Sequence, residues 1–378
     1  MPTARLIYAS TSFDSSYYNA DLFWKIGMRL YDPHFFIEFS DSPGRGVLIA
    51  GSLEINRAKK EAKNADIVSA DEFRNAAGVG EAFGALGAFL RSRAIVEIEL
   101  HPDTPAEVMG KLRDRFDVSV GTRPWYPERS AKTPKEIAFM KESIFAAEEA
   151  LGYIHKRIRA AAVKDGVLTD GTRALTSGAL REYIENDFYL RGFISQGSII
   201  SCGAASADPH AEGDGPLIAR APIVCDIFPR SRRTGYYADI TRTFFKGAPD
   251  DHARNAYAAV FDAQAHGISM VRANADGKDI HSAVTRVFDA KGYKTDFAAG
   301  EGFIHSTGHG VGLECHEILS IGERPCTLPE SSVITIEPGL YYPREEFGIR
   351  IEDMVFVTSQ GSEVLSDHPK DYASSVIE

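Results

Sequence analysis

Four carboxylates interrupt apolar, β-prone runs of this 378-residue chain, and they constrain its fold more than any other feature. Asp226 stands in Pro222-Ile-Val-Cys-Asp-Ile-Phe228, and Asp239 in the run from Tyr236 to Phe245. Glu337 follows Ile334-Thr-Ile, and Glu352 lies in Ile349-Arg-Ile-Glu-Asp-Met-Val355. An ionised carboxylate is costly in an interior unless it is paired, hydrogen-bonded or bound to a cation. Strand alternation offers a plain alternative in which each acid faces water. Two acids in one strand pair and two in the next point instead to a shared polar centre in a β-rich domain.

Histidines give a second cluster. Three of the 11 in the chain fall in His305-Ser-Thr-Gly-His309-Gly-Val-Gly-Leu-Glu-Cys-His316, where Gly308, Gly310 and Gly312 permit close backbone approach. A fourth, His210, lies in a turn-like stretch before the Asp226 strand. Four carboxylates with imidazole suit two divalent cations, since hard oxygen donors with one nitrogen favour Mn, Fe or Co over a thiolate-type zinc site. Cations a few ångströms apart would supply an activated water as nucleophile at neutral pH. The His316-Glu317 pair lacks the second histidine of a zincin helix, and Gly78-Val-Gly80 lacks the third glycine of a dinucleotide loop.

The rest of the chain excludes whole classes. Hydrophobic residues make up 44% and charged residues 25%, the balance of a folded globular protein. Lys and Arg number 42 against 53 Asp and Glu, a net charge of −11 that disfavours nucleic acid and anionic membranes as partners. No run reaches the length of a membrane helix, and the start lacks a signal-peptide core, so a cytoplasmic location is expected. Cys202, Cys225, Cys315 and Cys326 form no C-x-x-C pair and read as free thiols, with Cys225 a small core residue.

Along the chain, strands are expected at 35–39, 46–50, 94–100 and 118–120, with helices at 81–93 and 104–116, a small α/β domain. Gly121 to Arg129, with two prolines, reads as a linker, which sets the domains at 1–128 and 129–378. Thr133-Pro134 with Glu136 marks the start of a long helix. Counting that helix, the order is two helices, strands, two helices and strands: the further helices at 173–190, 250–271 and 278–291, and strands at 197–202, 223–228, 235–245, 333–337 and 348–352. This order suggests two similar halves.

The ordered set Asp226, Asp239, His309, Glu337, Glu352 resembles the metal ligands of the pita-bread metallopeptidases: methionine aminopeptidases, Xaa-Pro aminopeptidases and Xaa-Pro dipeptidases. The matching segments are Val224-Cys-Asp226-Ile, Tyr237-Ala-Asp239-Ile-Thr-Arg-Thr-Phe, Thr307-Gly-His309-Gly through His316-Glu, Thr335-Ile-Glu337-Pro-Gly-Leu-Tyr341 and Gly348-Ile-Arg-Ile-Glu352-Asp. The resemblance implies an α/β (α+β) fold: a small N-terminal α/β domain, then a pita-bread catalytic domain with pseudo-two-fold halves. It implies that Asp226 chelates one of two divalent metals (Mn first, then Co, Fe or Zn), that Asp239 and Glu352 bridge both, and that His309 and Glu337 complete the other's shell. Glu337 would also shuttle the proton, His316 would stabilise the scissile carbonyl's charge, and His210 would sit near the leaving nitrogen. His305, Arg350 and Tyr341 match the proline-specific branch and would contact substrate or its surroundings. The implied activity is hydrolysis of the bond before a proline in a small peptide, by a homodimer, with a dipeptidase favoured slightly over an aminopeptidase. A metal-free creatinase-type hydrolase and a non-catalytic peptide-binding module are the alternatives on this fold.

One departure stands out. Twelve residues separate Asp226 from Asp239, two more than the family pattern. An even insertion keeps side-chain parity, so both aspartates can still face one way. The extra pair falls in Pro229 to Gly235, where Arg230, Arg232 and Arg233 are expected to form a solvated hairpin tip.

Overall fold

A computed structural model describes residues 3–42, 44–77, 82–195 and 197–378. The chain divides into two compact units, Met1–Arg129 and Ser130–Glu378. The Gly78–Gly80 segment and Glu81, the expected start of a helix, lie outside the described residues.

In the first unit six strands form one sheet, in the order Ala65–Ser69, Gly46–Ala50, His34–Phe39, Thr3–Ala9, Glu97–Leu100, Asp117–Val120. Side chains alternate between its two faces, and both faces are covered. Leu6, Phe35, Ile37, Val47 and Ile49 pack on one side with Leu86, Phe89 and Leu90. Ile7, Phe36, Leu48 and Ala50 pack on the other with Leu22, Ile26 and Trp125. The Thr3–Ala9 strand sits inside the sheet, and the sequence reading gave no strand there.

The second unit opens with the Pro134–Ala160 helix, whose Thr133 cap and Glu136 form the expected capping box. Its buried stripe of Met140, Ile144, Ala147, Leu151, Ile154 and Ile158 follows helical spacing. The next helix is Ser177–Leu190 with Thr176 as its cap, shorter than expected because Arg173–Ala174 pairs as a strand instead. These helices accompany a sheet ordered Ile199–Cys202, Ile223–Ile227, Ile240–Lys246, Val376–Ile377. The Asp251–Met270 and Gly277–Ala290 helices accompany a second sheet, ordered Glu317–Ile321, Gly308–Gly310, Val333–Ile336, Asp353–Val357, Ser362–Val364. The unit also holds a hairpin of Gly339–Tyr342 and Phe347–Arg350, a three-stranded sheet of Ala162–Lys164, Val167–Asp170 and Arg173–Ala174, and a pair of Phe193–Ile194 with Arg230–Ser231. Two helix pairs, each with its own sheet, give the expected halves. Among the described residues no helix is long and apolar enough to cross a membrane.

Candidate metal centre

The strand ends bring the anomalous acids together. Only Asp226 lies inside a strand; Asp239 precedes Ile240–Lys246, Glu337 follows Val333–Ile336, and Glu352 separates Phe347–Arg350 from Asp353–Val357. This corrects the expectation of four in-strand carboxylates. At a strand end the ladder stops, and a carboxylate can turn towards a shared centre without breaking pairing. Asp239 is 5% and Glu352 1% exposed, so neither faces solvent.

One oxygen or nitrogen from each of Asp239, His309 and Glu352 lies within 4.8 Å of the others. His309 Nε2 is 3.3 Å from Glu337 Oε1 and 3.6 Å from Asp239 Oδ2. Its Nδ1–H donates to Gly310 O at 3.1 Å, which leaves Nε2 directed at the acids. The Thr335 hydroxyl accepts from His309 N–H at 3.0 Å and donates to Glu337 Oε1 at 3.2 Å. The Thr241 hydroxyl donates to Glu352 Oε2 at 2.8 Å. Sequence reasoning missed both threonines, because Thr in a strand also reads as plain β propensity.

Arg350 reaches the centre from the hairpin. Nη2 donates to Asp226 Oδ2 at 2.7 Å, and Nη1 donates to Tyr341 Oη at 2.7 Å. Tyr341 Oη is 3.0 Å from His305 Nε2, and His305 Nδ1 is 2.8 Å from Ser306 O. Since the carbonyl can only accept, His305 carries its proton on Nδ1 and accepts from the Tyr341 hydroxyl. Tyr341 is fully buried and is not among the residues lining the cavity; its hydroxyl instead meets His305.

A cavity of about 610 Å³ collects the remaining groups, lined by Asp226, Asp239, His309, Glu337, Arg350 and Glu352 on its polar side. His210, His305, His316 and Cys315 also line it, with Ile199, Phe228 and Ile304. His316 is exposed at the edge, its ring meeting His309 in a T-shaped contact at 4.1 Å. Every site residue expected from sequence except Tyr341 therefore opens onto one cavity. Cys315, whose thiol donates to Asp239 Oδ2 at 3.2 Å, was not singled out for the site.

The electrostatics ask for positive charge. Burial, and then the Asp226 charge, push the Asp239 carboxyl well above the usual carboxylate range. Burial, and then Asp239, do the same to Glu352. Burial alone would lower His309, but the Glu337 hydrogen bond and the Glu337 and Asp239 charges outweigh it and raise the imidazole to about 9. Burial would likewise raise Glu337, yet its bond to His309 pulls it down to about 2. Protons thus stand where cations would. Asp226 Oδ1 is buried and has no hydrogen-bond partner. An orphaned carboxylate oxygen, a cluster of hard oxygens and one anchored imidazole fit divalent metal ions.

The described hairpin tip differs from expectation in one residue. Arg232 and Arg233 are exposed, but Arg230 is only 6% exposed. Its guanidinium is turned inwards by backbone carbonyls, which accept from Nε and Nη2.

The uncharacterized peptidase YqhT of Bacillus subtilis is 33% identical over 251 residues, 64% of this chain and 64% of its own length. The Xaa-Pro dipeptidase of Pyrococcus furiosus is 33% identical over 241 residues, 63% of each chain. The match thus spans less than two thirds of these curated relatives. Among solved structures, an Xaa-Pro dipeptidase from Bacillus anthracis superposes with a TM-score of 0.80 at 24% identity, covering 99% of this chain and 94% of that one. An X-Pro aminopeptidase from Thermotoga maritima superposes with a TM-score of 0.78 at 25% identity, covering 97% and 96%. These likenesses show the fold, an α/β unit followed by a pita-bread unit. Residues 138–359, which hold all five expected ligands, match metallopeptidase family M24, and the chain belongs to that family.

Proposed function

We propose that this chain is a metal-dependent exopeptidase that hydrolyses the bond between an N-terminal residue and a following proline, with dipeptides favoured over longer peptides. The observation that carries this reading is the convergence of Asp226, Asp239, His309, Glu337 and Glu352 on one cavity that also receives His210, His305, His316 and Arg350. The likeness to the P. furiosus Xaa-Pro dipeptidase supports it.

The five ligands would hold two divalent ions, Mn foremost, which when bound supply the positive charge that activates water and polarises the scissile carbonyl. Glu337 takes a proton from the attacking water at its carboxylate and hands it to the proline nitrogen as the bond breaks. His316, at the cavity edge, donates to the developing oxyanion. His210, exposed at the mouth, stands near the leaving nitrogen. His305 has both ring nitrogens engaged, so it offers substrate its ring rather than a hydrogen bond. We assign residues 1–128 to an N-terminal domain and 129–378 to the catalytic domain, and place the protein in the cytoplasm as a homodimer.

The test is metal analysis followed by chelation, reloading with Mn, and assay on Xaa-Pro and Xaa-Pro-Xaa peptides. Loss of turnover on chelation, recovery with Mn and preference for the dipeptide are expected. Activity that survives chelation would favour a creatinase-type hydrolase. A protein that takes up no Mn would favour a binding module. Faster cleavage of the tripeptide would make it an aminopeptidase.

A further inference from the structure

The long turn between the two aspartates grips the loop that carries His316. Tyr237 N–H donates to Gly312 O at 2.8 Å. Arg230 donates from Nη2 to Leu313 O at 3.2 Å and from Nε to Gly235 O at 3.0 Å. One guanidinium therefore spans its own turn and the neighbouring loop, and it sits 5.2 Å from the Tyr237 ring centroid. The turn closes on itself as well: Ser231 N–H donates to Tyr236 O at 3.0 Å, and Gly235 N–H to Ser231 O at 2.8 Å.

The loop is held from its far end by Glu317. Oε1 accepts from Leu313 N–H at 3.0 Å, and Oε2 accepts from Lys132 Nζ at 2.6 Å. That ion pair is nearly dry, with side chains 2% and 6% exposed. Leu313 is thus fixed at both its N–H and its C=O, three residues before His316. His316 is exposed apart from its ring contact with His309, so its backbone is placed largely by its neighbours along the loop. A planar fork can serve two carbonyls at once, whereas an ammonium on a flexible stem fixes them less well.

We propose that the turn Arg230–Gly235, longer than the family pattern, is a strut for the Gly312–Glu317 loop, and that Arg230 is a positioning residue acting on catalysis through His316. The proposal rests on the function proposed above. The test uses the Mn-loaded protein as wild type, Arg230→Met, Arg230→Lys, His316→Ala and the Arg230→Met/His316→Ala double variant, with an Xaa-Pro dipeptide as substrate and Mn titration alongside. Arg230→Met is expected to lower kcat by about tenfold with little change in KM, the signature of an interaction used in the transition state. Arg230→Lys should recover part of that loss. Mn affinity should stay within about twofold of wild type, since the described contacts of Arg230 are to Gly235, Leu313 and Tyr237 rather than to a ligand. In the His316→Ala background, Arg230→Met should add less than about a twofold loss, because the two residues act as one unit.

Equal losses in both backgrounds, or an Arg230→Met enzyme as fast as wild type, would overturn the proposal while leaving the peptidase reading intact. If Arg230→Met does not fold, the same cycle is run with Arg230→Lys, where a kcat loss of equal size with and without His316 overturns it. A wild type that binds Mn and cleaves neither an Xaa-Pro dipeptide nor an Xaa-Pro-Xaa peptide overturns the peptidase reading, and the strut with it.

Discussion

Arg350 and Asp226 form an ion pair at 2.7 Å that occupies only one of the aspartate's two oxygens. Oδ2 takes the guanidinium, and Oδ1 is left buried without a hydrogen bond. The pair is nearly closed to solvent, with side chains 5% and 14% exposed. Arg350→Ala would leave the acid uncompensated, and breaking such a pair costs about 3–5 kcal/mol. The metal-free protein should therefore lose more thermal stability than the Mn-loaded one, because bound cations restore the missing charge. Mn affinity should then rise rather than fall, since a substitution that costs the metal-free form more than the loaded one tightens binding. Calorimetric unfolding with and without Mn, and a Mn titration, check both outcomes. Equal destabilisation in the two forms would contradict the argument.

A second buried pair lies one residue beyond Glu352. Arg242 and Asp353 meet at 2.7 Å with side chains 1% and 0% exposed. Arg242 Nη1 also donates to Glu352 O at 2.6 Å. Gln264 Nε2 donates to Asp353 Oδ2 and to Ile336 O, each at 3.1 Å, which ties the network to the residue before Glu337. Lys370 adds its ammonium to Asp353. Burial would raise the Asp353 carboxyl, but Arg242 and Lys370 hold it below the usual range. Asp353→Ala should cost about 3–5 kcal/mol, since it strands the buried Arg242 cation. Lys370→Met should cost less, because Arg242 and Ser366 still serve the acid. Denaturant midpoints of the two variants should fall in that order.

How much of this was legible depends on what each residue had to signal. The long helix could be read because Thr133, Pro134 and Glu136 mark its start and its apolar spacing runs on for many turns. The acids could be found because carboxylates are out of place in apolar runs. Their position at strand ends could not, since hydrophobic runs continue past the point where pairing stops. Arg230 looked like a tip residue because it opens the polar run Arg-Ser-Arg-Arg-Thr-Gly, and an arginine in such a run usually meets water. Gly235 O in its own turn holds one side of the guanidinium, and Leu313 O, in a loop some 80 positions away that no local pattern contains, holds the other. Tyr341 lay beside a ligand motif, and only the fold shows it against His305 and not among the residues lining the cavity.

Two histidines beside Phe244 should each withdraw stability from the second unit as pH falls. His155 and His368 contact that ring at 5.6 and 6.0 Å. Burial, with the Arg242 charge, pulls His368 down to about 4, and burial lowers His155. Both then bind protons more weakly folded than unfolded. Their contribution is complete above the ordinary histidine value of about 6.5 and is lost as pH falls from there towards 4. For His368 this amounts to at most roughly 3 kcal/mol. The raised carboxyls of Asp239 and Glu352 pull the other way, so the readout is the difference between proteins: by chemical denaturation from pH 7 to pH 4, His368→Gln should lose less stability with acid, or gain more, than wild type. A His368→Gln profile as steep as wild type would exclude this histidine as a cause.

Gly308 offers the sharpest packing test, because a methyl there has no room. A Cβ would stand 1.9 Å from Thr335 O, a backbone atom of the neighbouring strand. The same threonine holds His309 N–H and Glu337 Oε1 through its hydroxyl. Gly308→Ala must therefore push apart the segments that carry two expected ligands. Overpacking of this kind costs about 1–3 kcal/mol, and Mn affinity should fall with it. At Gly310 the nearest atoms are side-chain carbons of Leu319 and Glu317, at 3.2 and 3.3 Å, so Gly310→Ala should be milder. Gly152 sits in the Pro134–Ala160 helix with nothing within 4 Å, and there alanine should stabilise by about 0.5–1 kcal/mol. Thermal midpoints and Mn titrations of the three variants should separate in that sequence. If Gly308→Ala bound Mn as tightly as Gly152→Ala, the Thr335 bridge would not be what sets His309 against Glu337.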